Sequence, residues 1–492
     1  MLRMKLKICL IGSEVAPFSK TGGLADVCGA LTKYLHAAGH DVRVFTPLYS
    51  AIDRSALEPH PVPGLQDVPL EVGAHRYRYS VLAARVPGTS ADVYFIDCPT
   101  LYARASIYTG DPDEHLRFIA LTRAAIESCQ RLAFSPQILH AHDWHAAFAP
   151  LYLKVAYDWD PLFKRTRSVL TIHNIGYQGV FAASAVADLG VGARIDRLHQ
   201  DDLRAGHINA LKHGIMYADA ITTVSPTYAA EICTAEYGMG LQDALRARGA
   251  ALSGILNGAD YDEWDPRRDR YLPSHYDAAH LQNKAALKQA FLARCKISVG
   301  ARAPLVGFVS RMATQKGFDI TFDELPRALL AQDFALVGLG SGEARYEEFF
   351  AGLQQRFPGR VLFHRGYSDE LAHWIEAASD LFLMPSLYEP CGLNQMYSLR
   401  YGTVPLVRRT GGLADTVEPY DRATRRGTGI VFDDFSPAAF AQALHSALDL
   451  YAQRDHWRRL VANGMSQDFS WTRQGGLYVE LYERLARGAT AA

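Results

Sequence analysis

Short apolar runs and amphipathic helical stretches alternate along almost the whole chain, and this alternation limits the possible folds more than any other feature of the sequence. The first repeat is the clearest: LKICLIG has the length of a strand, LADVCGALTKYLHAAG carries apolar residues at helical spacing, and HDVRVFTP returns as a strand. Strands joined through a helix in this way are parallel, because the helix carries the chain back across the sheet. The sequence therefore predicts an α/β fold.

Two series of such units are separated by GILNGADYDEWDPRRDRYLPSHY, which is rich in Gly, Asp, Pro and aromatic residues and fits neither period. A chain of 492 residues is longer than one hydrophobic core usually serves. We therefore predict an N-terminal Rossmann-like domain over residues 1–257, a C-terminal Rossmann-like domain over residues 258–465 and a terminal helical segment over residues 466–492. Ligands are expected at the carboxyl ends of the strands.

Composition and charge exclude several classes of function. With 51 basic and 52 acidic side chains, the net charge of -1 argues against a nucleic-acid surface or an electrostatic membrane anchor. The seven cysteines are scattered without a C-x-x-C pair, as is usual in a reducing cytosol. No apolar stretch is long enough to span a membrane, and LKICLIG is too short for a signal peptide. We therefore predict a cytoplasmic protein that binds neither nucleic acid nor membranes.

The hexapeptide TGGLAD occurs twice, at residues 21–26 and at residues 410–415. Two glycines before a helix expose backbone N–H groups at the positive end of the helix dipole, which favours an anion, and Lys20 adds a positive charge to the first copy. A plain turn between strand and helix explains the pattern equally well. If each half of the chain is a separate doubly wound sheet, each half presents one such turn; coincidence is the alternative.

Two loops in the second half of the chain could bind a sugar diphosphate. SRMATQKGFD places Arg311 and Lys316 after a strand, where two cations could hold a diphosphate and neutralise its charge as it leaves; an ordinary surface loop is the alternative. In PSLYEPCGLNQ, Glu389 could accept hydrogen bonds from sugar hydroxyls, while the amides of Gly392 and Leu393 could face a phosphate.

The segment HAHDWH, which follows a strand of the first half, has two interpretations. His140, His142 and His145 could form half of a zinc site, whose remaining ligands would have to come from elsewhere in the chain. Asp143 and Trp144 suit a carbohydrate better, because a carboxylate binds hydroxyls and an aromatic face binds a pyranose ring.

Three further features give weaker signals. His173 in TIHNIGYQG follows a strand, but a buried, hydrogen-bonded histidine without a catalytic task fits the pattern as well. Cys391 has no histidine near it in sequence that would activate it as a nucleophile, so a packing or substrate-lining thiol is preferred. D-x-D triplets, which bind the metal of some sugar-nucleotide enzymes, occur at residues 111–113, 158–160 and 260–262 and are interpreted as structural.

Considered together, these segments resemble the bacterial glycogen synthase and plant starch synthase family of retaining glucosyltransferases. The family's order is followed over nearly the whole chain by KTGGLADV, HAHDWH, HNIGYQG, TTVSPTYAAEI, LNGADYDEWDP, SRMATQKGFD, GLGSGE, MPSLYEPCGLNQMYSLRYGTVPLVRRTGGLADTV and DFSW. The resemblance implies a GT-B-type fold, in which two Rossmann-like domains face a deep cleft and a C-terminal helix crosses back to the N-terminal domain. It also implies transfer of α-glucose from ADP-glucose to the 4-hydroxyl of an α-1,4-glucan such as glycogen, with retention and without a cofactor or metal.

The resemblance also assigns roles to individual residues, each through its matching motif. The implied catalytic residues are Lys20, His173, Arg311, Lys316 and Glu389. The implied nucleotide-sugar contacts are Lys20, Gly22, Gly23, Arg311, Lys316, Glu389, Cys391, Gly392 and Leu393. The implied acceptor contacts are Glu14, Asp26, Asp143, Trp144 and Asn257.

Some positions depart from the family's usual pattern. Glu114 stands where the motif D-N-x-x-R-F has an amide, and His213 stands where a glycine is usual. Gly475 and Gly476 interrupt the last helical stretch, where they predict a bend or a helix start. Tyr397 replaces the second glutamate of many related transferases, which separates the chain from sucrose-type and animal-type relatives.

Two other functions stay open at this point. A non-catalytic glucan-binding protein on a transferase fold is opposed by the joint presence of Lys20, Arg311, Lys316 and Glu389. A related transferase with another nucleotide sugar, or a phosphorylase, is the third possibility, although no pyridoxal-binding lysine can be recognised. Neither the donor base nor the oligomeric state follows from any residue pattern in the chain.

Overall fold

The structure is a computed structural model that describes residues 4–490. The chain divides into two compact units: unit 1 runs up to Gly258 and resumes at Trp471, and unit 2 spans Ala259–Ser470. A β-carbon on Gly258 would lie 2.7 Å from the Trp471 indole, so this glycine packs closely within unit 1. The chain therefore passes between the units twice, and residues 466–470 belong to unit 2 rather than to the terminal helix.

Unit 1 contains twelve strands and the first ten α-helices. The strands are β1 (Lys7–Ile11), β2 (Asp41–Pro47), β3 (His60–Pro61), β4 (Val68–Val72), β5 (His75–Arg85), β6 (Asp92–Asp97), β7 (Ile138–His142), β8 (Arg167–Ile172), β9 (Val180–Ala182), β10 (His207–Asn209), β11 (Ala220–Thr223) and β12 (Leu252–Gly254). The helices are α1 (Gly23–Ala37), α2 (Arg54–Leu57), α3 (Pro99–Tyr102), α4 (Glu114–Arg131), α5 (Asp143–Ala146), α6 (Ala149–Val155), α7 (Gln200–Arg204), α8 (Ala210–Tyr217), α9 (Pro226–Glu231) and α10 (Gln242–Arg248).

The main sheet of unit 1 has the strand order β12-β11-β8-β7-β1-β2-β6-β5-β3, and β4 pairs with β5. Its strands from β12 to β6 are parallel, whereas β5 is antiparallel to β3, β4 and β6. In this sheet β2, β3, β5 and β6 lie on one side of β1, and the later strands β7, β8, β11 and β12 lie on its other side. The strand order therefore reverses between β1 and β7, which is where an open α/β sheet leaves a crevice for ligands.

Unit 2 contains six strands and eight α-helices. The strands are β13 (Leu305–Val309), β14 (Ala335–Gly340), β15 (Val361–Arg365), β16 (Leu381–Met384), β17 (Val404–Arg408) and β18 (Ile430–Phe432). The helices are α11 (Gln282–Arg294), α12 (Glu324–Ala331), α13 (Ala344–Arg356), α14 (Asp369–Ala378), α15 (Asn394–Tyr401), α16 (Gly411–Thr416), α17 (Pro437–Ala452) and α18 (Arg454–Met465).

The sheet of unit 2 is entirely parallel, in the order β15-β14-β13-β16-β17-β18. This is the strand order of a Rossmann fold, with its reversal between β13 and β16. Both faces of the sheet are covered, since Val306 and Phe308 pack into one hydrophobic core and Leu305 packs into the other. Such burial explains why the sequence shows continuous apolar runs instead of alternating ones.

The last helix, α19 (Trp471–Thr490), belongs to unit 1, where it packs against α1 and beside β7 and β8. It runs through Gly475 and Gly476 as one helix that begins at Trp471, so the predicted helix start at these glycines is wrong. The reason for Gly475 is close packing: a β-carbon there would lie 2.3 Å from Cδ1 of Tyr34 on α1. No helix within residues 4–490 is long and apolar enough to cross a membrane.

We expect Gly475→Ala to destabilise unit 1 by about 1–3 kcal/mol, because the new methyl group overlaps the Tyr34 ring. Gly476→Ala is the matched control, since a β-carbon there meets only the Tyr34 hydroxyl at 3.8 Å and the better helix propensity adds about 0.5–1 kcal/mol. Thermal unfolding of both variants measures the difference. Equal melting temperatures would show that the two helices are not packed through Gly475.

Candidate functional site

Most of the residues predicted to bind substrate lie near the point where the strand order of each sheet reverses. In unit 1, the loop after β1 leads to α1, and the loops after β7 and β8 end at the same edge of the sheet. In unit 2, the loops after β13 and β16 lie side by side because these two strands are paired. The predicted residues in these segments are Glu14, Lys20, Gly22, Asp143, Trp144 and His173 in unit 1, where Asp143 and Trp144 begin α5 directly after β7, and Arg311, Lys316, Glu389, Cys391, Gly392 and Leu393 in unit 2.

A buried ion pair forms the centre of the site in unit 2. Lys316 Nζ lies 2.6 Å from Glu389 Oε2, and Ser386 Oγ donates to the same carboxylate oxygen at 3.0 Å. Glu389 is only 4% exposed. A carboxylate removed from water needs such partners, because an unpaired buried charge costs several kcal/mol. The ion pair therefore joins the loop after β13 to the loop after β16 within this unit.

The neighbouring polar groups in unit 2 are arranged for an anion. The exposed Arg311 donates from Nη2 to Gln315 Oε1, at 3.2 Å. Within the described chain, no acceptor is found for the amides of Gly392 and Leu393, which stand before the first turn of α15. Cys391 is buried, and its carbonyl accepts a hydrogen bond from Gln395 Nε2. A helix N-terminus with unpaired amides beside two cations favours phosphate groups.

The two copies of TGGLAD have different physical reasons for their glycines. In the second copy, Gly411 has φ +43° and a β-carbon there would lie 2.0 Å from the Glu389 carbonyl oxygen, so the glycine lets the chain support the Glu389 loop. In the first copy, a β-carbon on Gly22 or Gly23 would meet no described atom within 4 Å. Close packing therefore explains the glycines of the second copy, whereas there is open space beside the glycines of the first copy.

Glu14 lies in the loop between β1 and α1, where its carboxylate accepts hydrogen bonds from the amide and the hydroxyl of Thr21, the latter at 2.8 Å. Tyr108 also donates its hydroxyl to Glu14 and lies 2.8 Å from Ser13 Oγ. Burial raises the pKa of Glu14, and the hydrogen bonds from Tyr108 and Thr21 oppose that rise. Sequence reasoning missed Tyr108, because no local motif connects it with a residue 94 positions away.

Two further acceptor candidates, Asp26 and Asn257, also lie in unit 1. Lys20 Nζ lies 2.8 Å from Asp26 Oδ1 across the first turn of α1, and the Lys20 side chain is 48% exposed. Asn257 is buried after β12, and its Oδ1 has no hydrogen-bond partner within residues 4–490.

The Trp144 indole packs against Phe118 and the backbone of Gly179. Its ring meets Phe118 edge-on at 4.9 Å, and the backbone of Gly179 is so close that a β-carbon would lie 2.2 Å from Cε3 of the indole. Gly179 has φ +62°, which favours glycine at this position. The indole therefore has a fixed orientation in unit 1.

Asp143 combines burial with an unusual backbone. It has φ +53° and is 6% exposed, and its Oδ1 accepts hydrogen bonds from the amides of His173 at 2.6 Å and Asn174 at 3.4 Å. Burial raises its pKa to about 7, although these backbone hydrogen bonds oppose the rise. Such a strained, buried carboxylate at a strand end is typical of functional positions.

The histidines of HAHDWH do not gather as metal ligands. His140 uses both ring nitrogens, with Tyr482 Oη at 2.7 Å from Nδ1 and Thr171 Oγ1 at 2.6 Å from Nε2. His142 Nδ1 lies 2.9 Å from His173 Nε2. No group of three or more His, Cys, Asp or Glu side chains suited to a metal occurs in the part of the chain that the structure describes.

The positions that depart from the family pattern have local partners. Glu114 accepts hydrogen bonds from the guanidinium of the buried Arg117 and from the amides of Thr109 and Gly110, so its charge fixes the loop that carries Tyr108. His213 Nδ1 donates to the Asn209 carbonyl at 2.7 Å, and its Nε2 accepts from the His199 amide at 3.0 Å. Tyr397 stacks on Trp264 at 4.3 Å.

Of the D-x-D triplets, the first pairs both of its carboxylates with Arg104, at 2.5 and 2.6 Å.

A cavity of about 520 Å³ in unit 2 lies at the other end of the strands. Pro304 and Asp333 line it, and they precede β13 and β14 respectively, while Tyr451 closes it from α17. It therefore opens at the amino ends of the strands and contains none of the predicted site residues.

The free energy of unfolding should depend on pH because of the Asp143 carboxyl group. Because its folded pKa of about 7 exceeds its ordinary value of 3.8, the native state binds more protons between these limits, and stability falls as pH rises through that window. Asp143→Asn removes this dependence, and asparagine tolerates a positive φ. We expect the variant to be up to about 4 kcal/mol more stable than the parent at pH 8. The difference should disappear near pH 4; denaturant unfolding at both pH values measures it, and a gap that does not change with pH would contradict the assignment.

Comparison with known proteins finds glycosyltransferase relatives for both units of the chain. The chain matches the family model of the starch synthase catalytic domain over residues 7–247 and that of glycosyl transferases group 1 over residues 294–463. It is 45% identical over 487 residues to a glycogen synthase of Anaeromyxobacter dehalogenans, covering 98% of this chain and 100% of the relative. A glycogen synthase of Pseudothermotoga lettingae is 40% identical over 489 residues, covering 98% of this chain and 99% of the relative.

A solved structure is similar over the same length. It is the catalytic domain of starch synthase IV from Arabidopsis thaliana bound to ADP and acarbose, with a TM-score of 0.90 and 34% sequence identity, covering 98% of this chain and 100% of that one. The predicted family, the GT-B type of fold and the hexosyltransferase class of activity are thereby confirmed. The chain belongs to the family of glycogen synthases and starch synthases, which are glycosyltransferases that act on a nucleotide sugar and a glucan.

Proposed function

We propose that this chain transfers α-glucose from ADP-glucose to the non-reducing 4-hydroxyl of an α-1,4-glucan, with retention of configuration, in glycogen biosynthesis. The single observation that supports this most strongly is the site of unit 2. There, Arg311, the Lys316–Glu389 ion pair and two unpaired amides lie where the Rossmann sheet reverses. The similarity to a starch synthase domain that was bound to ADP supports adenine as the donor base.

The cations act mainly on the leaving group. As the bond from the anomeric carbon to the diphosphate lengthens, negative charge grows on the diphosphate oxygens and positive charge grows on the sugar. Arg311 and Lys316 lie at fixed positions, so they stabilise this separated charge more than they stabilise the ground state. The amides of Gly392 and Leu393 face the same phosphates at the start of α15.

Glu389 has a second task in this proposal. Its carboxylate binds hydroxyls of the transferred glucose, while the 2.6 Å contact with Lys316 keeps it charged and oriented. Cys391 lines the sugar site beside it. Since Cys391 is buried and its thiol has no activating histidine near it in sequence, it is not assigned as a nucleophile.

Retention is explained without a covalent enzyme intermediate. The bond between the anomeric carbon and the diphosphate oxygen breaks on one face of the sugar, and the acceptor oxygen attacks on that same face. The acceptor's hydroxyl proton moves to the departing diphosphate, so ADP leaves with the proton and the new glycosidic bond carries the electron pair of the acceptor oxygen. The protein supplies position and charge, and the proposal assigns no step to a metal.

Unit 1 supplies the remaining residues of the proposal. Lys20 and the Gly22 and Gly23 segment approach the diphosphate and glucose, since the open space at these glycines suits a ligand. His173 contacts the transferred sugar. The acceptor contacts are proposed to be Glu14, Asp26, Asp143, Trp144 and Asn257. We also propose that the protein acts in the cytoplasm, where it binds neither nucleic acid nor a membrane.

The function is tested by measuring transfer of radiolabelled glucose to glycogen from ADP-glucose and from UDP-glucose, each with and without EDTA. We expect transfer from ADP-glucose that EDTA does not change. A protein that binds glycogen without transfer would be a glucan-binding module, and exclusive use of UDP-glucose would require another donor assignment. Dependence on inorganic phosphate as a co-substrate would indicate a phosphorylase.

In the same assay, Arg311→Ala should lower kcat by about 10²–10³-fold, because it removes one phosphate cation from an exposed position without disturbing the fold. Arg422→Ala, another exposed cation of unit 2, is the matched control and should keep full turnover. Lys316→Ala should also lower turnover by orders of magnitude. It leaves Glu389 as an unpaired buried charge, so the melting temperature of this variant is measured beside its turnover to separate lost stability from lost catalysis. Near-normal turnover in Arg311→Ala and Lys316→Ala would overturn the proposed role.

Gly23→Ala tests whether the first glycine turn is reserved for ligand. A methyl group at Gly23 meets no described atom, so we expect an unchanged melting temperature but a fall in kcat/KM for the donor of at least about 10-fold, because the methyl group occupies the ligand's space. Gly352→Ala, also in open space, should leave activity unchanged, whereas Gly411→Ala should lower stability. Normal kcat/KM in Gly23→Ala would show that the turn does not approach the donor.

A further inference from the structure

Two buried imidazoles are in direct contact at the strand ends of unit 1. His142 is the last residue of β7, His173 follows β8, and His142 Nδ1 lies 2.9 Å from His173 Nε2. His142 is completely buried and His173 is 8% exposed. A hydrogen bond at this distance requires one proton between the two nitrogens, so one ring donates and the other accepts.

The surroundings of His142 decide which ring donates. Its second nitrogen, Nε2, is buried and has no hydrogen-bond partner within residues 4–490. The adjacent ring of His140 cannot serve, because Tyr482 and Thr171 already occupy both of its nitrogens. A buried N–H without an acceptor is rarer and more costly than a bare acceptor nitrogen. The proton of His142 therefore lies on Nδ1, and His142 donates to His173.

The proton on His142 Nδ1 determines the tautomer of His173. Since its Nε2 accepts a hydrogen bond, a neutral ring must carry its proton on Nδ1. Burial lowers the pKa of His142 to about 3 and lowers the pKa of His173 well below its ordinary value, so both rings are neutral near pH 7. The backbone of His173 is fixed by the 2.6 Å hydrogen bond from its amide to Asp143. In the described chain, His173 Nδ1 has no partner, so this N–H remains available to a ligand.

We propose that His142 is a positioning residue that fixes His173 as a neutral imidazole with its proton on Nδ1, so that His173 donates a hydrogen bond to an oxygen of the hexose. This inference rests on the proposed function, in which His173 contacts the transferred sugar. It adds a chemical distinction: His173 orients the hexose as a hydrogen-bond donor and does not remove a proton as a base. A neutral imidazole can donate a hydrogen bond to a substrate oxygen in this way.

The kinetic test compares His142→Asn with His142→Leu, which have similar shapes. Asparagine presents an N–H close to the position of Nδ1 and keeps the donor, whereas leucine removes it. We expect His142→Leu to lower kcat by about 10–100-fold while KM for the donor changes by less than about 3-fold, and His142→Asn to recover most of the turnover. Equal losses in both variants would mean that only packing matters, and full turnover in His142→Leu would mean that the contact has no catalytic effect; either result overturns the proposal.

The second readout does not depend on activity. In protein labelled with 15N-histidine, nitrogen NMR distinguishes the two tautomers, and the His173 signals are identified with a His173→Gln variant. We expect protonated Nδ1 at His173 in the parent and in His142→Asn, with a shift to protonated Nε2 in His142→Leu. A proton on Nε2 of His173 in the parent overturns the inference. If the parent shows the expected tautomer but transfers no glucose, the proposed function fails while the assignment of the proton stands.

Discussion

The reversal of strand order in each parallel sheet is the constraint on which the candidate site depends. Parallel strands end at one edge of a sheet, and helices cover its two faces, so the only place where loops from adjacent strands separate is the point of reversal. In unit 2 this point lies between β13 and β16, whose loops carry the Lys316–Glu389 pair. In unit 1 it lies between β1 and β7; Glu14 lies in the loop after β1, and Asp143 begins α5 directly after β7.

Several of the candidate residues in unit 1 have features that lower stability. Asp143 combines a positive φ with a buried carboxylate, and Asn257 and His142 each leave a buried polar atom without a partner among residues 4–490. Each feature lowers the stability of the folded chain, because strain and unpaired polar groups cost of order 1–3 kcal/mol. Extensive apolar cores in the rest of the fold offset this cost, as the two hydrophobic cores of unit 2 illustrate.

The glycines show how one sequence motif can serve two physical purposes. At Gly411 the chain passes so close to the Glu389 carbonyl that no side chain fits, which is a requirement of the folded unit itself. At Gly22 and Gly23 the protein leaves open space. The packing reason for the second copy therefore does not apply to the first, although each copy contains the first residues of a helix.

By itself, the sequence determined the α/β class, the family and the identity of the charged loops, because apolar periodicity and short motifs are local properties of the chain. Arg311, Lys316 and Glu389 could be found in this way, since each follows an apolar run that forms a strand. Only the tertiary structure decided which distant residues contact the candidate residues of unit 1. Tyr108 reaches Glu14 over 94 positions and His142 reaches His173 over 31, and these contacts depend on strand order and register. Burial likewise changes with tertiary packing, so the raised pKa of Asp143, the neutral histidines and the packing of Gly475 against Tyr34 could not be read from residue types.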